Sequence, residues 1–439
     1  MKAYRLTIAE ASELISGGKL TPTELLESVF GRIERLEPKL EAWVSLDKEG
    51  AMDTAEGLTV EAEEGMLRSP IHGIPIGVKD IYYTEGIKTT MGSPLYRDFV
   101  PSYDAETVKV IKEAGAVIPG KTETTEFAAF DPAPTRNPWN LEHTPGGSSS
   151  GSAAAVSSGM VPAALGSQTG GSVIRPAAFC GIVGMKPTYD LINRCGVFPL
   201  SWSLDHVGFF TRSVEDARIM LDVLAGKSMT QVSAPEIETV APRLGLLRGY
   251  FQENAHEEVW LGLEAAVEKL RDAGAEVLET PLPESFEVVH AAYSLIFASE
   301  AASVHEEEFR RRRSEYRLKM RSQIAAGLLV PASAYLRAKR IRGRFIMEVE
   351  ALLRGVDCVL TPSSVTPALR GLESTGDPAF NSPWSFCGFP VISLPCGLTK
   401  DELPLGIQFT GRPFREGELL AAAGWCEGVL KFPNTPRDP

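Results

Sequence analysis

A chain of 439 residues that is 44% hydrophobic has the apolar side chains for a large core, and length alone favours two or three domains. Its formal net charge of −13 argues against nucleic-acid or anionic-membrane partners, whose binding draws its affinity from a basic surface. No uninterrupted apolar run approaches about 18 residues, and the opening MKAYRLTIAEASEL lacks the apolar core of a secretion signal, so a cytoplasmic location is expected.

Residues 5–45 read as two helices. Thr21-Pro22-Thr23-Glu24 is a capping box with proline at the first helical position, and Leu25, Val29, Ile33 and Leu36 follow at helical spacing. Residues 46–68 read as a third helix and a loop. Pro70–Asp80 (PIHGIPIGVKD) is a short apolar strand that ends on Lys79-Asp80. A lysine directly behind Ile74–Val78 either begins inside the protein, where burial would favour its neutral amine, or marks a strand end at the surface. Asp104 to Gly115 reads as a helix with Asp104 as N-cap and Gly115 as C-cap. Ala116–Pro119 reads as a strand, and 125–139 as a loop broken by Pro132, Pro134 and Pro138.

Thr144 to Thr188 is the most unusual stretch. Two Gly/Ser clusters, Gly146–Ser152 and Gly170–Ser172, flank the small-residue segment Ala153–Leu165. Glycines let backbone N–H groups approach a ligand, and serines in such loops can act as nucleophiles or proton carriers. The pattern predicts two loops converging on one point.

Further on, Ser213–Gly226 reads as a helix and 227–240 as a loop. Leu244–Leu247, the helix around Glu257–Ala273 and Ala275–Glu279 form a strand–helix–strand unit, the mark of parallel α/β architecture. Residues 285–353 are helical with a break near Gly327–Pro331. In that region Arg310–Arg313, Arg317, Lys319 and Arg321 are interleaved with Glu306–Glu308 and Glu315, the pattern of a solvated helix face. Asp357–Leu360, Val391–Leu394 and Leu405–Phe409 read as strands and Glu416–Leu430 as a closing helix. No repeat, linker or boundary appears, so one α/β domain over 1–439 is the simplest reading. The six cysteines form no C-x-x-C pair and are expected to be buried free thiols. With no metal-ligand spacing and no dinucleotide fingerprint, neither metal nor cofactor is expected.

The stretches PGGSSSGSAAAVSSG and GSQTGGSVIRPAAFCGIVGMKPT resemble the signature of the amidase signature family of serine hydrolases. HGIPIGVKD (72–80), AGAVIPGKTETTEFA (114–128), SLDHVGFFTRSVEDA (203–217), DCVLTPSSVTPA (357–368), GFPVISLPCGL (388–398) and GIQFTGRPFREGELL (406–420) extend the likeness, in family order, over most of the chain. The resemblance implies a large mixed, mostly parallel β-sheet covered by helices on both faces. It implies a Ser–cis-Ser–Lys triad of Lys79, Ser148 and Ser172, with a cis Gly147–Ser148 bond. The spacing fits: 69 residues separate Lys79 from Ser148, and 24 separate Ser148 from Ser172. The backbone N–H groups of Thr169, Gly170, Gly171 and Ser172 are then the expected oxyanion hole. No histidine fits a base: His72 and His206 read as structural, and His143 only flanks the Gly-Ser loop. Ser149, Ser150 and Ser152 read as helix-start or hydrogen-bonding residues, Ser149 with the better chance of a supporting contact to Lys79, and Asp205 as a turn residue or a supporting contact.

Many family members read D-T-G-G-S-I-R-x-P where this chain has Gln168-Thr169-Gly170-Gly171-Ser172-Val173-Ile174-Arg175-Pro176. This variant looks like the malonamidase and ureido-amide hydrolase branch. It implies a small-molecule amide substrate, carboxylated or ureido, with Arg175, Ser149 and Gln168 as candidate substrate-binding residues and a homodimer as an option. The expected reaction is hydrolysis of an amide C–N bond through an acyl-serine. The A subunit of a glutamyl-tRNA amidotransferase ranks second, because the D-T-G-G-S-I-R-Q-P form and a longer C-terminal region are missing. A phosphate-binding protein ranks below both, since GGSSSGSA lacks the Lys-Ser/Thr ending of a P-loop. So does a non-catalytic scaffold, which would not need Lys79, Ser148 and Ser172 intact.

Overall fold

The computed structural model describes residues 2–226, 240–432 and 435–438. The loop expected over 227–240 therefore lies, apart from Val240, outside the described residues.

Among the described residues, eleven strands form one sheet: β1 (Trp43–Leu46), β2 (Ile76–Lys79), β3 (Gly120–Thr122), β4 (Ala163–Gln168), β5 (Val183–Lys186), β6 (His206–Thr211), β7 (Arg243–Leu247), β8 (Glu276–Thr280), β9 (Cys358–Pro362), β10 (Val391–Leu398) and β11 (Pro404–Thr410). Their order is β1-β3-β2-β4-β6-β5-β10-β11-β9-β7-β8. Helices cover the sheet, and the apolar core lies against it in one large cluster and a second around the helices Pro22–Leu40 and Ser150–Ser157. No helix among the described residues is long and apolar enough to cross a membrane.

The α/β class is as expected, but the sheet is not mostly parallel. Parallel ladders hold only its two flanks, β3-β2-β4 and β9-β7-β8. The block between them, from β4 through β6, β5, β10 and β11 to β9, is antiparallel throughout. The strand–helix–strand unit legible in the sequence is the parallel pair β7–β8. The turn between β10 and β11 is too short for a crossover, and short connections join antiparallel neighbours.

Most predicted helices stand where their signals put them. Thr21 Oγ1 accepts the Glu24 N–H at 3.1 Å, and the Glu24 carboxylate accepts the Thr21 N–H at 2.9 Å, completing the capping box of Pro22–Leu40. Ser213 caps Val214–Ala225. The basic run ends the helix Phe286–Arg312, where Arg310 and Arg311 pair with Glu306 and Glu307. Two local expectations fail. Asp104 does not cap Glu106–Glu113, because its carboxylate is taken by the Lys112 ammonium at 2.8 Å and the Glu85 N–H. The strand expected at Ala116–Pro119 begins at Gly120, after a single bridge from Val117 to Pro75. Pro119 has no N–H to give a ladder.

Two short helices, Ser150–Ser157 and Ile174–Cys180, are buried on every side, and β4 connects them. A helix without a solvated face must be free of solvent-seeking residues all round, and in Ser150–Ser157 the small Ala-Ser-Gly sequence meets this. At Gly151 an added Cβ would lie 2.2 Å from the Ala42 carbonyl oxygen and 2.3 Å from the Glu123 nitrogen. Gly151→Ala is therefore expected to destabilise the protein by about 1–3 kcal/mol, the usual range for overpacking, seen as a lower urea midpoint. An unchanged midpoint would mean that this contact relaxes freely.

Candidate functional site

Lys79 ends β2, and β4 runs parallel beside it, with Val78 opposite Leu165. Both strands therefore finish at the same edge of the sheet, where α/β folds gather their ligand-binding loops. The Lys79 side chain is fully buried. Its Nζ lies 2.8 Å from Ser148 Oγ, 3.0 Å from Ser149 Oγ and 2.8 Å from Ser167 Oγ. Among the described residues no carboxylate pairs with it. Burial pushes its pKa well below the ordinary lysine value, opposed only by the more distant charge of Asp205. Lys121, one strand away on β3 and equally buried, does pair with Asp80 at 3.4 Å.

The three serines play different parts around the amine. Ser149 Oγ also accepts the Ser167 N–H and donates to the Ser167 carbonyl, both at 3.2 Å. It is fully buried, and its hydroxyl is committed to Lys79 and to the Ser167 backbone. Ser148 follows a cis Gly147–Ser148 bond, and its hydroxyl makes no other hydrogen bond among the described residues. Ser167 was not singled out by sequence. It lies at the end of a strand whose Ala-Ala-Leu-Gly-Ser-Gln sequence shows no strand alternation.

Ser172 stands at the turn into Ile174–Cys180. It is 7% exposed, its hydroxyl makes no hydrogen bond among the described residues, and it lines a small cleft with Phe130, Arg175, Tyr293, Phe297 and Thr375. The N–H groups of Gly170, Gly171 and Ser172 likewise find no acceptor among the described residues. The loop packs too tightly for side chains at its two glycines: a Cβ at Gly170 would meet Tyr293 Oη at 2.7 Å, and one at Gly171 would meet Asn381 Oδ1 at 2.4 Å.

Gln168 shapes this loop and does not face the cleft. Its Oε1 accepts the N–H groups of Val173 and Ile174 at 2.9 and 3.0 Å, and its Nε2 donates to Ser385 Oγ. Ser385 in turn donates to the Gly170 carbonyl at 2.7 Å. Its expected place as a substrate-binding residue is thus replaced by an internal one. Asp205 supports the loop from the other side, accepting the Thr169 hydroxyl at 2.7 Å and the N–H groups of Leu200 and Ser201.

Arg175 ties the two serine loops together. Its Nη2 donates to the Gly147 carbonyl at 2.7 Å and its Nε to the Thr375 carbonyl at 2.6 Å, while Nη1 is buried without a partner. Burial lowers its pKa to about 10. One of its nitrogens thus serves the backbone that carries Ser148 and another the loop at Thr375, and among the described residues no acidic residue is in hydrogen-bond contact. Two of the histidines are held against backbone: His72 bonds the Leu58 carbonyl, and His206 Nδ1–H donates to the carbonyls of Leu204 and Gln168. Five cysteines are buried, but Cys195 is exposed, against expectation, in the turn before Gly196.

Arg175→Ala would leave the Gly147 and Thr375 carbonyls without their donor inside the protein. An unsatisfied buried group costs about 1–3 kcal/mol, so a fall in kcat/KM on the order of ten- to a hundredfold is expected, alike for carboxylated and neutral amides. A loss confined to carboxylated amides would show instead that Nη1 holds substrate.

The family model described as amidase matches residues 24–420. The chain is 36% identical to the A subunit of glutamyl-tRNA(Gln) amidotransferase from Syntrophus aciditrophicus (strain SB), over 97% of this chain and 98% of that one. Among solved structures, an amidase superposes with a TM-score of 0.89 at 33% identity, covering 96% of this chain and 99% of the other. The peptide amidase of Stenotrophomonas maltophilia superposes with a TM-score of 0.85 at 28% identity, covering 99% of each. The alignment to the Syntrophus protein spans 475 positions, more than the 439 residues of this chain, and reaches nearly all of the relative. The difference in length is therefore internal, and not the missing C-terminal region expected from the sequence.

Proposed function

Because the chain belongs to the amidase family, we propose that it hydrolyses the C–N bond of a small amide through an acyl-enzyme on Ser172, with Ser148 and Lys79 carrying the proton. The observation that carries this reading is the buried Lys79 amine, bonded to hydroxyl groups alone. A neutral amine has two N–H bonds and one lone pair. Ser149 and Ser167 take the two N–H bonds, and the lone pair accepts the Ser148 O–H.

The Ser172 hydroxyl passes its proton to Ser148 Oγ as Ser148 gives its own to Lys79. The Ser172 oxygen then attacks the amide carbon, and the carbonyl π electrons move onto oxygen. The unpaired N–H groups of Gly170, Gly171 and Ser172 stand ready for that charge. Collapse breaks the C–N bond, and the leaving nitrogen takes the proton from Lys79 by way of Ser148. Water then repeats the sequence on the acyl-serine and releases the carboxylic acid.

Two settings fit the reaction. The curated relatives favour the A subunit of a glutamyl-tRNA amidotransferase, in which glutamine would be the amide and partner proteins would use the ammonia. Gln168, in place of the aspartate of that enzyme's motif, favours an amidase that works alone. Ammonia release by the purified chain separates them. Glutamine turnover that needs partner proteins and tRNA supports the first, and turnover of other amides by the chain alone supports the second.

Ser172→Ala is expected to abolish turnover, and retained activity would remove the nucleophile. In the wild type, hydroxylamine should divert the acyl-serine to a hydroxamate. The rate should rise with pH as Lys79 loses its proton and then level off, with the midpoint well below about 10.4, the ordinary lysine value. A midpoint at that value would mean that Lys79 is not the base.

A further inference from the structure

A large cavity beside the site is one the reaction does not use. It has a volume of ≈ 1110 Å³ including its open mouth, and meets the Ser172 cleft along Ala128, Thr169 and Leu200. Its walls are mostly apolar and aromatic, among them Tyr83, Val197 and Phe198. Tyr103 and Trp202 stand at its rim, 51% and 55% exposed.

Most polar groups on its walls are already engaged; among the described residues His206 Nε2 has no partner, and it is an uncharged acceptor. Arg194 donates through Nε and Nη2 to Asp190, through Nη2 to Tyr189 Oη at 2.8 Å and through Nη1 to the Trp202 carbonyl. Asp205 accepts from Thr169, Leu200 and Ser201. Ser167 Oγ accepts from Lys79, and burial drives the pKa of His206 far below its ordinary value, leaving the ring uncharged. A charged substrate group entering here would lose its water and find no free counter-charge. An aromatic ring would lose only water from apolar surface.

We propose that this cavity holds the side group of the substrate and that the substrate class is an uncharged aryl or arylalkyl primary amide. The proposal rests on the amidase reading above. It is not met by glutamine, whose ammonium and carboxylate would both need partners.

Cys195 lines the cavity, is exposed, and is the one exposed cysteine of six, so a thiol reagent reports on the cavity without touching Lys79, Ser148 or Ser172. Two measurements test the proposal. In the first, kcat/KM for phenylacetamide should exceed that for acetamide by on the order of ten- to a hundredfold, the worth of burying one ring. Alkylating Cys195 with N-ethylmaleimide should remove that preference and spare acetamide. Equal rates on the two amides, or a preference for glutamine or malonamate, would overturn the proposal while leaving the amidase reading in place. In the second, phenylacetamide should slow alkylation of Cys195 in Ser172→Ala, and acetamide should not. This binding readout decides the proposal even if no amide is turned over, an outcome that would count against the amidase reading alone. Absence of protection would overturn the cavity assignment.

Discussion

The site depends on one constraint: an amine buried without a counter-ion. A lysine in a protein interior either finds a carboxylate or gives up its proton, because desolvation penalises the charge more than hydroxyl hydrogen bonds can offset. The two lysines of neighbouring strands follow different routes. Lys121 keeps a buried partner in Asp80, and its pKa is lowered to about 8. Lys79 has three serine hydroxyls and, among the described residues, no carboxylate. That difference makes Lys79 suited to accept a proton, and the proposed mechanism follows from it.

The fold places the serines around that amine with little sequence. β2 and β4 lie parallel, so Lys79 and Ser167 finish at one edge. The loop before the buried helix Ser150–Ser157 and the loop after β4 return to the same edge, bringing Ser148 and Ser172. Arg175 bonds the first loop from a helix that follows the second, and Gln168 and Asp205 hold the second from its two ends. Many of these supports are bonds to backbone, which fixes loop position independently of the side chains that face the cleft.

The elements legible in the sequence were those with a local signature. The capping box at Thr21, the helical spacing after it and the β7–helix–β8 unit all read directly, because periodicity and caps are local physics. The two Gly/Ser clusters announced converging loops, and the family resemblance named Ser148 and Ser172 within them and Lys79 on the earlier strand. What was hidden is non-local. β4, β5 and β6 are buried on both faces, so their sequences lack the polar–apolar alternation of a half-exposed strand. The antiparallel middle of the sheet depends on which strands meet, which composition does not encode. The internal commitments of Gln168 and Ser149, and the bond from Arg175 to the Gly147 carbonyl, depend on where distant loops come to rest. A motif can place such residues near a site without showing which way they point.

The central claim is that the Lys79 amine is uncharged at neutral pH. A nitrogen-15 NMR titration of lysine-labelled protein, with the Lys79 signal assigned by Lys79→Arg, measures this directly. The account predicts a neutral amine signal at pH 7 that protonates only on acidification. A Lys79 signal already in the ammonium form at pH 7 and titrating near the ordinary lysine value would contradict it.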